Sequence, residues 1–422
     1  MSSIKRYSYW WSQTPPDFSF QSQLPTHADM IILGADFVGI STALWIAKNI
    51  RINKKPFRVL VLDGAPYAGF HTTGRMMGDI SIANPGSVSE VIEKIGEDSA
   101  KKLYYYSRNN NQLLKSLVTK TTSPCDFNGG VRIATTAKEV AELETTHSIF
   151  KDWNLPCTLL DQEQTQQIVL NPRAKGGLYV ASEGMIDPFQ FTTDMTRSLR
   201  RNGIWVSYAT KVASVGQDPS KDMPFVVLDN GHVITSPRIV HTSPDTVPVD
   251  RSTESLLSNV VPYREAALAT QEFSEELEEM PLPGMPIYLN GGNDTLRIIN
   301  RNVLMTGGKA NLRKKDPDQN TKINTANNRK ILENLTNCLT KNFPLSHHVD
   351  ISHTWSFIDW RSKDFMPFVG ELNQYNGQYV NFGYGKNELS LAFLASKNLV
   401  ETIMSIRVQD SSLQLFDPLR FF

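Results

Sequence analysis

A glycine-containing turn between two short apolar runs is the part of the sequence best suited to binding a charged ligand. Residues 29–33 predict a strand, 34–39 a turn, 40–49 a helix and 58–62 a second strand, which ends at Asp63. A strand, turn and helix in this order place backbone amides and the positive helix end on a pyrophosphate. An acid at the end of the next strand binds ribose. The pattern therefore predicts a βαβ unit that binds a dinucleotide.

The turn departs from the dinucleotide pattern G-x-G-x-x-G at one position. Gly34 and Gly39 occupy the first and third glycine positions, whereas Asp36 stands in the second. The second glycine lets the backbone approach a phosphate, so a carboxylate there adds bulk and like-charge repulsion. The motif alone leaves dinucleotide binding and its loss as equal alternatives.

Five further segments resemble FAD-dependent amine and amino-acid oxidases of the D-amino-acid oxidase / glycine oxidase superfamily, and most of all its glutamylputrescine oxidase-like branch. The segments are GFHTTGRMMGDI (69–80), GGLYVASEGMIDPFQFTTDMTRSLRRNGIWVSYATKVASV (176–215), LRIINRNVLMTGG (296–308), TWSFIDWRSKDFMPFVGEL (354–372) and YVNFGYGKNELSLA (379–392). The aromatic run SYWW (8–11) is similar to the arm that precedes the first strand in the glutamylputrescine oxidase-like branch. The resemblance extends from about residue 28 to the end of the chain.

The resemblance implies an α/β (α+β) fold with two lobes. A Rossmann-like FAD-binding domain would be assembled from separate segments, and a substrate lobe would carry a mixed or antiparallel sheet with helices. We place an extended N-terminal arm at 1–27, the FAD-binding domain at 28–85, 170–245 and 351–422, and the substrate domain at 86–169 and 246–350.

The resemblance also implies that FAD is the cofactor, bound without a covalent link rather than through His71. The candidate cofactor-binding residues are Gly34, Asp36, Phe37, Val38, Gly39, Asp63, Gly64, His71, Thr73, Gly74, Arg75, Met76, Val212, Thr242, Gly383, Gly385, Lys386 and Asn387. The reaction implied is oxidation of the C–N bond of an amine or amino acid to an imine, with oxygen or a partner as electron acceptor.

Three residues are candidates for a catalytic role. Lys386 would place a cation beside the electron-rich edge of the flavin, and Arg297 could either fork onto a substrate carboxylate or form a surface ion pair. His71 resembles the flavin-linked histidine of dimethylglycine dehydrogenase relatives, with an ordinary loop histidine as the alternative. Ile299 stands where glycine oxidase relatives carry a carboxylate-binding arginine, which argues against simple glycine-like substrates.

Five positions at which the superfamily pattern has glycine carry larger residues: Asp36, Met77, Phe357, Lys386 and Glu388. Glycine in a ligand-binding loop lets the backbone approach the ligand, so a side chain there displaces the ligand or requires a shifted loop. An alternative function is therefore a pseudo-oxidase that has lost FAD and acts as a binding or scaffold protein. In that alternative Asp36 and Lys386 would pair across an empty groove.

Composition favours small-molecule chemistry. The 422 residues include 43 Lys plus Arg and 43 Asp plus Glu, so no net charge would concentrate nucleic acid or an anionic membrane. Three widely spaced cysteines indicate neither a disulfide framework nor a thiolate metal site, and we predict no bound metal. The partner predicted is an amine or amino-acid substrate, and the oligomeric state stays open.

The sequence also predicts a cytoplasmic protein. The first 18 residues lack an apolar core and a cleavage site of the secretory type. Residues 30–47 are the longest apolar stretch, but they include Asp36 and two glycines and fit a strand, turn and helix better than a membrane span.

Overall fold

The computed structural model describes residues 4–18, 23–53, 57–83, 87–220, 222–273, 284–311, 326–343, 349–405 and 411–421. The chain divides into two units, each assembled from three segments. We call residues 1–14, 74–188 and 262–359 the large-sheet unit, and residues 15–73, 189–261 and 360–422 the parallel-sheet unit.

A six-stranded sheet forms the centre of the parallel-sheet unit. Its strands are β1 (Met30–Leu33), β2 (Val59–Leu62), β9 (Trp205–Ser207), β13 (Ile239–His241), β19 (Phe368–Glu371) and β20 (Gln378–Phe382). They lie in the order β19-β20-β13-β1-β2-β9, and only β19 runs antiparallel to its neighbour. Every residue of β1 and β2 is buried, as expected for parallel strands covered on both faces.

Two long helices of this unit pack on one another. The helices of the unit are α2 (Phe37–Asn53), α7 (Pro188–Arg201), α8 (Glu254–Ser258) and α10 (Glu388–Ile403). The Trp45 indole of α2 donates to the Phe393 carbonyl of α10 at 3.0 Å. The hydroxyls of Thr42 and Ser396 lie 3.2 Å apart in the same interface, so α10 is fixed along α2 by polar as well as apolar contacts.

A second, antiparallel sheet completes the parallel-sheet unit. It consists of β10 (Val212–Asp218), β11 (Met223–Leu228) and β12 (Val233–Thr235). Val226, Leu228 and Ile234 pack against Leu33 and Leu60 of the six-stranded sheet in one buried cluster.

An eight-stranded sheet forms the large-sheet unit, with a smaller three-stranded sheet beside it in the same unit. The strands are β3 (Asp79–Ile80), β4 (Cys125–Asp126), β5 (Gly130–Ala134), β6 (Thr158–Leu160), β7 (Gly176–Val180), β8 (Gly184–Ile186), β14 (Val260–Thr270), β15 (Ile287–Leu289), β16 (Asp294–Ile299), β17 (Asn302–Asn311) and β18 (Ile351–Ser362). The strand order is β18-β14-β17-β16-β15-β5-β7-β6 in the eight-stranded sheet and β3-β8-β4 in the three-stranded sheet. The pairing is mostly antiparallel, with β5 and β15 parallel.

Helices cover this sheet and close its core. They are α1 (Tyr9–Gln13), α3 (Val88–Ile95), α4 (Glu97–Val118), α5 (Ala137–Asp152), α6 (Gln162–Val169) and α9 (Ala326–Asn342). Leu335 and Leu339 of α9 are buried with Leu268, Leu296 and Met305 of the sheet. Capping boxes begin α5 and α6, where Thr136 and Asp161 accept hydrogen bonds from backbone amides.

The predicted βαβ unit is present, with small shifts at the ends of its elements. The predicted arm at 1–27 is not wholly extended, because α1 forms ahead of the two prolines at 15 and 16. No helix in the described part of the chain is long and apolar enough to cross a membrane.

The domain boundaries require correction. Residues 1–14, 74–85, 170–188 and 351–359 belong to the large-sheet unit, and 246–261 to the parallel-sheet unit. The strands β14 and β18 run continuously through two of the divisions, so no loop or change of composition marks these boundaries in the sequence.

Candidate functional site

The turn between β1 and α2 requires glycine at both of its ends. Gly34 has a φ of +121°, and a Cβ atom there would lie 2.3 Å from the Thr242 hydroxyl oxygen. A Cβ atom at Gly39 would lie 2.0 Å from the Gly34 carbonyl oxygen. The Thr242 hydroxyl is held by a 2.6 Å hydrogen bond to the Leu33 carbonyl. This tight crossing of strand, turn and helix is the geometry that a dinucleotide-binding turn uses.

Asp63 at the end of β2 fastens the same turn. One carboxylate oxygen accepts from the Ala35 amide at 2.6 Å, and the other accepts from the Ala65 amide at 2.7 Å. The side chain is 7 % exposed, and the His71 Nε2 atom lies 3.8 Å from it. A carboxylate has about four lone-pair sites, so these two bonds leave acceptor capacity for ribose hydroxyls.

The amide at the start of α2 is already hydrogen-bonded within the chain. Phe37 donates its backbone N–H to the Thr73 hydroxyl oxygen at 2.9 Å. Thr73 in turn donates to a carboxylate oxygen of Glu388, the first residue of α10, at 3.1 Å. Thr73 is fully buried and Glu388 nearly so. We call Asp36, Thr73 and Glu388 the clasp.

Asp36, the third member of the clasp, lies between the turn and the loop that follows Asp63. Its Oδ2 atom accepts from the Thr72 amide at 3.2 Å, whereas its Oδ1 atom is buried and has no hydrogen-bond partner. Burial raises the pKa of Asp36 above its ordinary value, and Asp63 adds to this effect while His71 opposes it. The ionised carboxylate is therefore disfavoured where it stands.

These residues do not fit the pyrophosphate of FAD in the described conformation, although Gly34, Gly39 and Asp63 fit the rest of the motif. A phosphate at this helix end needs free amide donors, and the Phe37 amide is taken by Thr73. A carboxylate about 4 Å from a phosphate charge costs on the order of 4 kcal/mol at an effective dielectric constant of about 20. Two carboxylates of the chain lie at this place.

The loop before α10 is glycine-rich, as the sequence indicates. Gly383 and Gly385 have φ values of +85° and +56°, and residues Gly385–Asn387 form a 3-10 turn. Lys386 is half-buried in this turn, and Asn387 has a buried side-chain oxygen without a partner.

The pair of Asp36 with Lys386, which the pseudo-oxidase alternative includes, is not seen among the described contacts of Asp36. Among described residues the groups that face Asp36 are Thr72, His71 and Asp63. Glu388, not Lys386, reaches the loop at Thr73, because Glu388 begins the helix whereas Lys386 belongs to the 3-10 turn before it.

The remaining candidates in the parallel-sheet unit have structural contacts. Phe37 and Val38 are buried at the start of α2, and the Phe37 ring lies 6.0 Å from that of Phe191. Val212 begins β10, and a Cβ atom on Gly64 would be 3.6 Å from the backbone of Lys211.

His71 is an exposed candidate, with 59 % of its side chain accessible. Its ring packs edge-on against Phe70 at 5.4 Å.

Arg297 is a buried anchor in the large-sheet unit. It is 1 % exposed, and its Nη1 atom donates to the carbonyls of Met77 at 3.1 Å and Ile186 at 2.8 Å. The guanidinium lies 5.1 Å from the centre of the Trp10 ring. Burial lowers the pKa of Arg297 to about 10, against the opposing charge of Asp187. The surface ion pair that was the alternative is wrong, because the side chain is buried. Nη1 is engaged by backbone carbonyls and Nε is buried without a partner among the described residues, so binding of a substrate carboxylate by Arg297 stays a prediction.

The segment Arg75–Gly78 is held by aromatic residues of the same unit. The indole N–H groups of Trp355 and Trp10 donate to the Arg75 and Met76 carbonyls at 2.8 and 2.9 Å. The Arg75 guanidinium lies 4.9 Å from the Trp11 ring. Sequence reasoning missed these tryptophans as partners of the two arginines, although the run SYWW was the available signal.

Gly74 is the first residue of the 74–188 segment of the large-sheet unit and lies immediately before Arg75. Met77 and Phe357, which stand at two further glycine positions, are buried in the same unit. Within the described residues no group of His, Cys, Asp or Glu side chains is arranged to hold a metal ion.

The fold and the turn together are those of a dinucleotide-binding domain, with a second unit built on a mostly antiparallel sheet. The family model described as FAD dependent oxidoreductase (DAO) matches residues 29–402. The chain belongs to this family.

One protein of related sequence and two solved structures are similar to this chain at low identity. The probable oxidoreductase OrdL of Haemophilus influenzae is 22 % identical over 443 residues, covering 98 % of this chain and 91 % of the relative. Glycine oxidase from Geobacillus kaustophilus superposes with a TM-score of 0.76 at 15 % identity, covering 94 % of this chain and 99 % of that one. L-Amino acid deaminase from Proteus myxofaciens, solved with anthranilate, has a TM-score of 0.75 at 13 % identity and full coverage of both chains.

Proposed function

We propose that this FAD-dependent oxidoreductase oxidises the C–N bond of a small amine or amino acid to an imine. The net reaction removes two hydrogens from an H–C–N–H unit and passes the electrons to oxygen or to a partner. The observation that carries the proposal is the family match over residues 29–402. The names of the structural neighbours, glycine oxidase and L-amino acid deaminase, support the substrate class.

The residues of this chain would contribute binding rather than acid–base chemistry. Gly34 and Gly39 form the turn, and Asp63 is the acceptor for ribose hydroxyls. Lys386 is the candidate cation near the redox centre, because it lies in the loop that resembles the closing element of the superfamily. FAD would be held without a covalent bond, as the resemblance implies, with His71 as a loop histidine that packs against Phe70 and lies 3.8 Å from Asp63.

A second candidate function is a pseudo-oxidase that has lost FAD and acts as a binding or scaffold protein. The specific observation in its favour is the clasp, which places Asp36 and Glu388 beside the Phe37 amide that would bind a phosphate.

Purification followed by a visible spectrum, before and after added FAD, separates the two candidates. Flavin bands together with imine and peroxide formation from amines or amino acids support the oxidase. Flavin that stays on the chain after denaturation would contradict non-covalent binding. The absence of FAD binding in the wild type and in glycine-restored variants that fold would contradict the oxidase and leave the scaffold.

A further inference from the structure

The start of α2 normally presents unpaired amides. The first four N–H groups of a helix have no partner within that helix, and they are the groups that bind an anion. Here the Phe37 amide is satisfied by Thr73 at 2.9 Å. A phosphate could use this amide only after Thr73 moves away.

Thr73 is held in place from its other side. Its single hydroxyl proton is donated to Glu388, so the hydroxyl oxygen is free to accept from Phe37. The chain of bonds joins the start of α2 to the start of α10 within the parallel-sheet unit. Because Thr73 and Glu388 are buried, opening the chain of bonds strands polar groups away from water.

Asp36 adds a second barrier to an anion. Its Oδ1 atom is buried without a partner, and the titratable groups that face it are His71 from the loop and Asp63 from the end of β2. Asp245 interacts electrostatically with His71. Glu388 is connected to the loop through its hydrogen bond from Thr73. A neutral Asp36 could donate a hydrogen bond to a phosphate oxygen, whereas an ionised one repels it.

We propose that Asp36, Thr73 and Glu388 determine whether this protein binds a dinucleotide, because the clasp occupies the phosphate position and must open before FAD can enter. This inference rests on the proposed function. It adds that FAD binding strengthens as Asp36 is protonated, because the neutral carboxyl removes a negative charge from the phosphate position. Cofactor occupancy would then be set by the clasp rather than by the substrate.

The test is FAD titration followed by flavin fluorescence and calorimetry. The variants are Asp36→Asn, which keeps the size and removes the charge, Asp36→Gly, and Asp36→Gly combined with Glu388→Gly. Asp229→Asn is the matched control, because Asp229 is an exposed carboxylate of the same unit. Thermal unfolding of each variant verifies that it is folded.

We expect the double glycine variant to bind FAD at least about tenfold more tightly than the wild type, and the control to be unchanged. Asp36→Asn should bind more tightly at neutral pH and lose most of the strengthening that the wild type shows on acidification. Dissociation constants within about twofold of the wild type in all folded variants would overturn the proposal, as would an unchanged pH dependence in Asp36→Asn.

Failure of the clasp and failure of the proposed function give different results. If the wild type binds FAD tightly at every pH and oxidises an amine, the proposal about the clasp is contradicted and the oxidase function is supported. Alternatively, the glycine variants could bind FAD more tightly while the wild type, saturated with FAD, oxidises no amine or amino acid. That result would support the proposal about the clasp and contradict the proposed reaction.

Discussion

Thr73 offers a direct test of the clasp through stability. The isosteric change Thr73→Val removes the hydroxyl that accepts from Phe37 at 2.9 Å and donates to Glu388 at 3.1 Å. A buried donor or acceptor left without a partner costs about 1 to 3 kcal/mol. With one donor and one acceptor left without a partner, we expect a loss of about 2 to 6 kcal/mol in the free energy of unfolding.

The matched control is Thr73→Ser, which keeps the hydroxyl and removes one buried methyl group, at about 1 kcal/mol. Both variants are measured by urea unfolding without FAD, followed by far-UV circular dichroism and tryptophan fluorescence. Combining Thr73→Val with Glu388→Gln in a double-mutant cycle should give a coupling energy above about 0.5 kcal/mol. If Thr73→Val costs no more than Thr73→Ser and the coupling is zero, the reasoning about the clasp fails.

Three further perturbations test other parts of the structure. Burial lowers the pKa of His241 to about 4, so between about pH 6.5 and about pH 4 the unfolded chain binds a proton that the folded chain does not. The free energy of unfolding should therefore fall by up to about 3 kcal/mol as the pH drops through this range. Urea titrations across pH should show that His241→Asn removes this part of the pH dependence. Arg297→Met leaves two buried carbonyls without a donor and removes the stacking on Trp10, so it should lower the free energy of unfolding by about 2 to 6 kcal/mol. The effect of Trp10→Leu should be non-additive with it. Gly34→Ala should be far more destabilising than Gly203→Ala. Both glycines have a positive φ, but only at Gly34 does the added Cβ lie 2.3 Å from another atom. Equal shifts in the temperature of thermal unfolding would contradict this.

The local elements and the turn could be predicted from the sequence because short-range patterns determine them. Apolar runs of four residues defined β1 and β2, and the spacing of Gly34, Gly39 and Asp63 placed the turn and its acid correctly. The family match confirms the resemblance that the later segments indicated.

The partners of buried side chains could not be predicted in the same way. The pseudo-oxidase alternative paired Asp36 with Lys386. In the structure Glu388 contacts Thr73, because a shift of two residues at a helix start changes which side chain faces the loop. Arg297 was expected at a substrate, and its partners are carbonyls distant in sequence. Such contacts depend on tertiary packing, which residue spacing does not encode.

The difference in FAD affinity between the wild type and the Asp36→Gly/Glu388→Gly variant at neutral pH tests the central claim most directly. The account predicts that the variant binds FAD at least about tenfold more tightly, with both proteins folded. Equal affinities, or tighter binding by the wild type, would contradict the claim that these carboxylates keep the dinucleotide site closed.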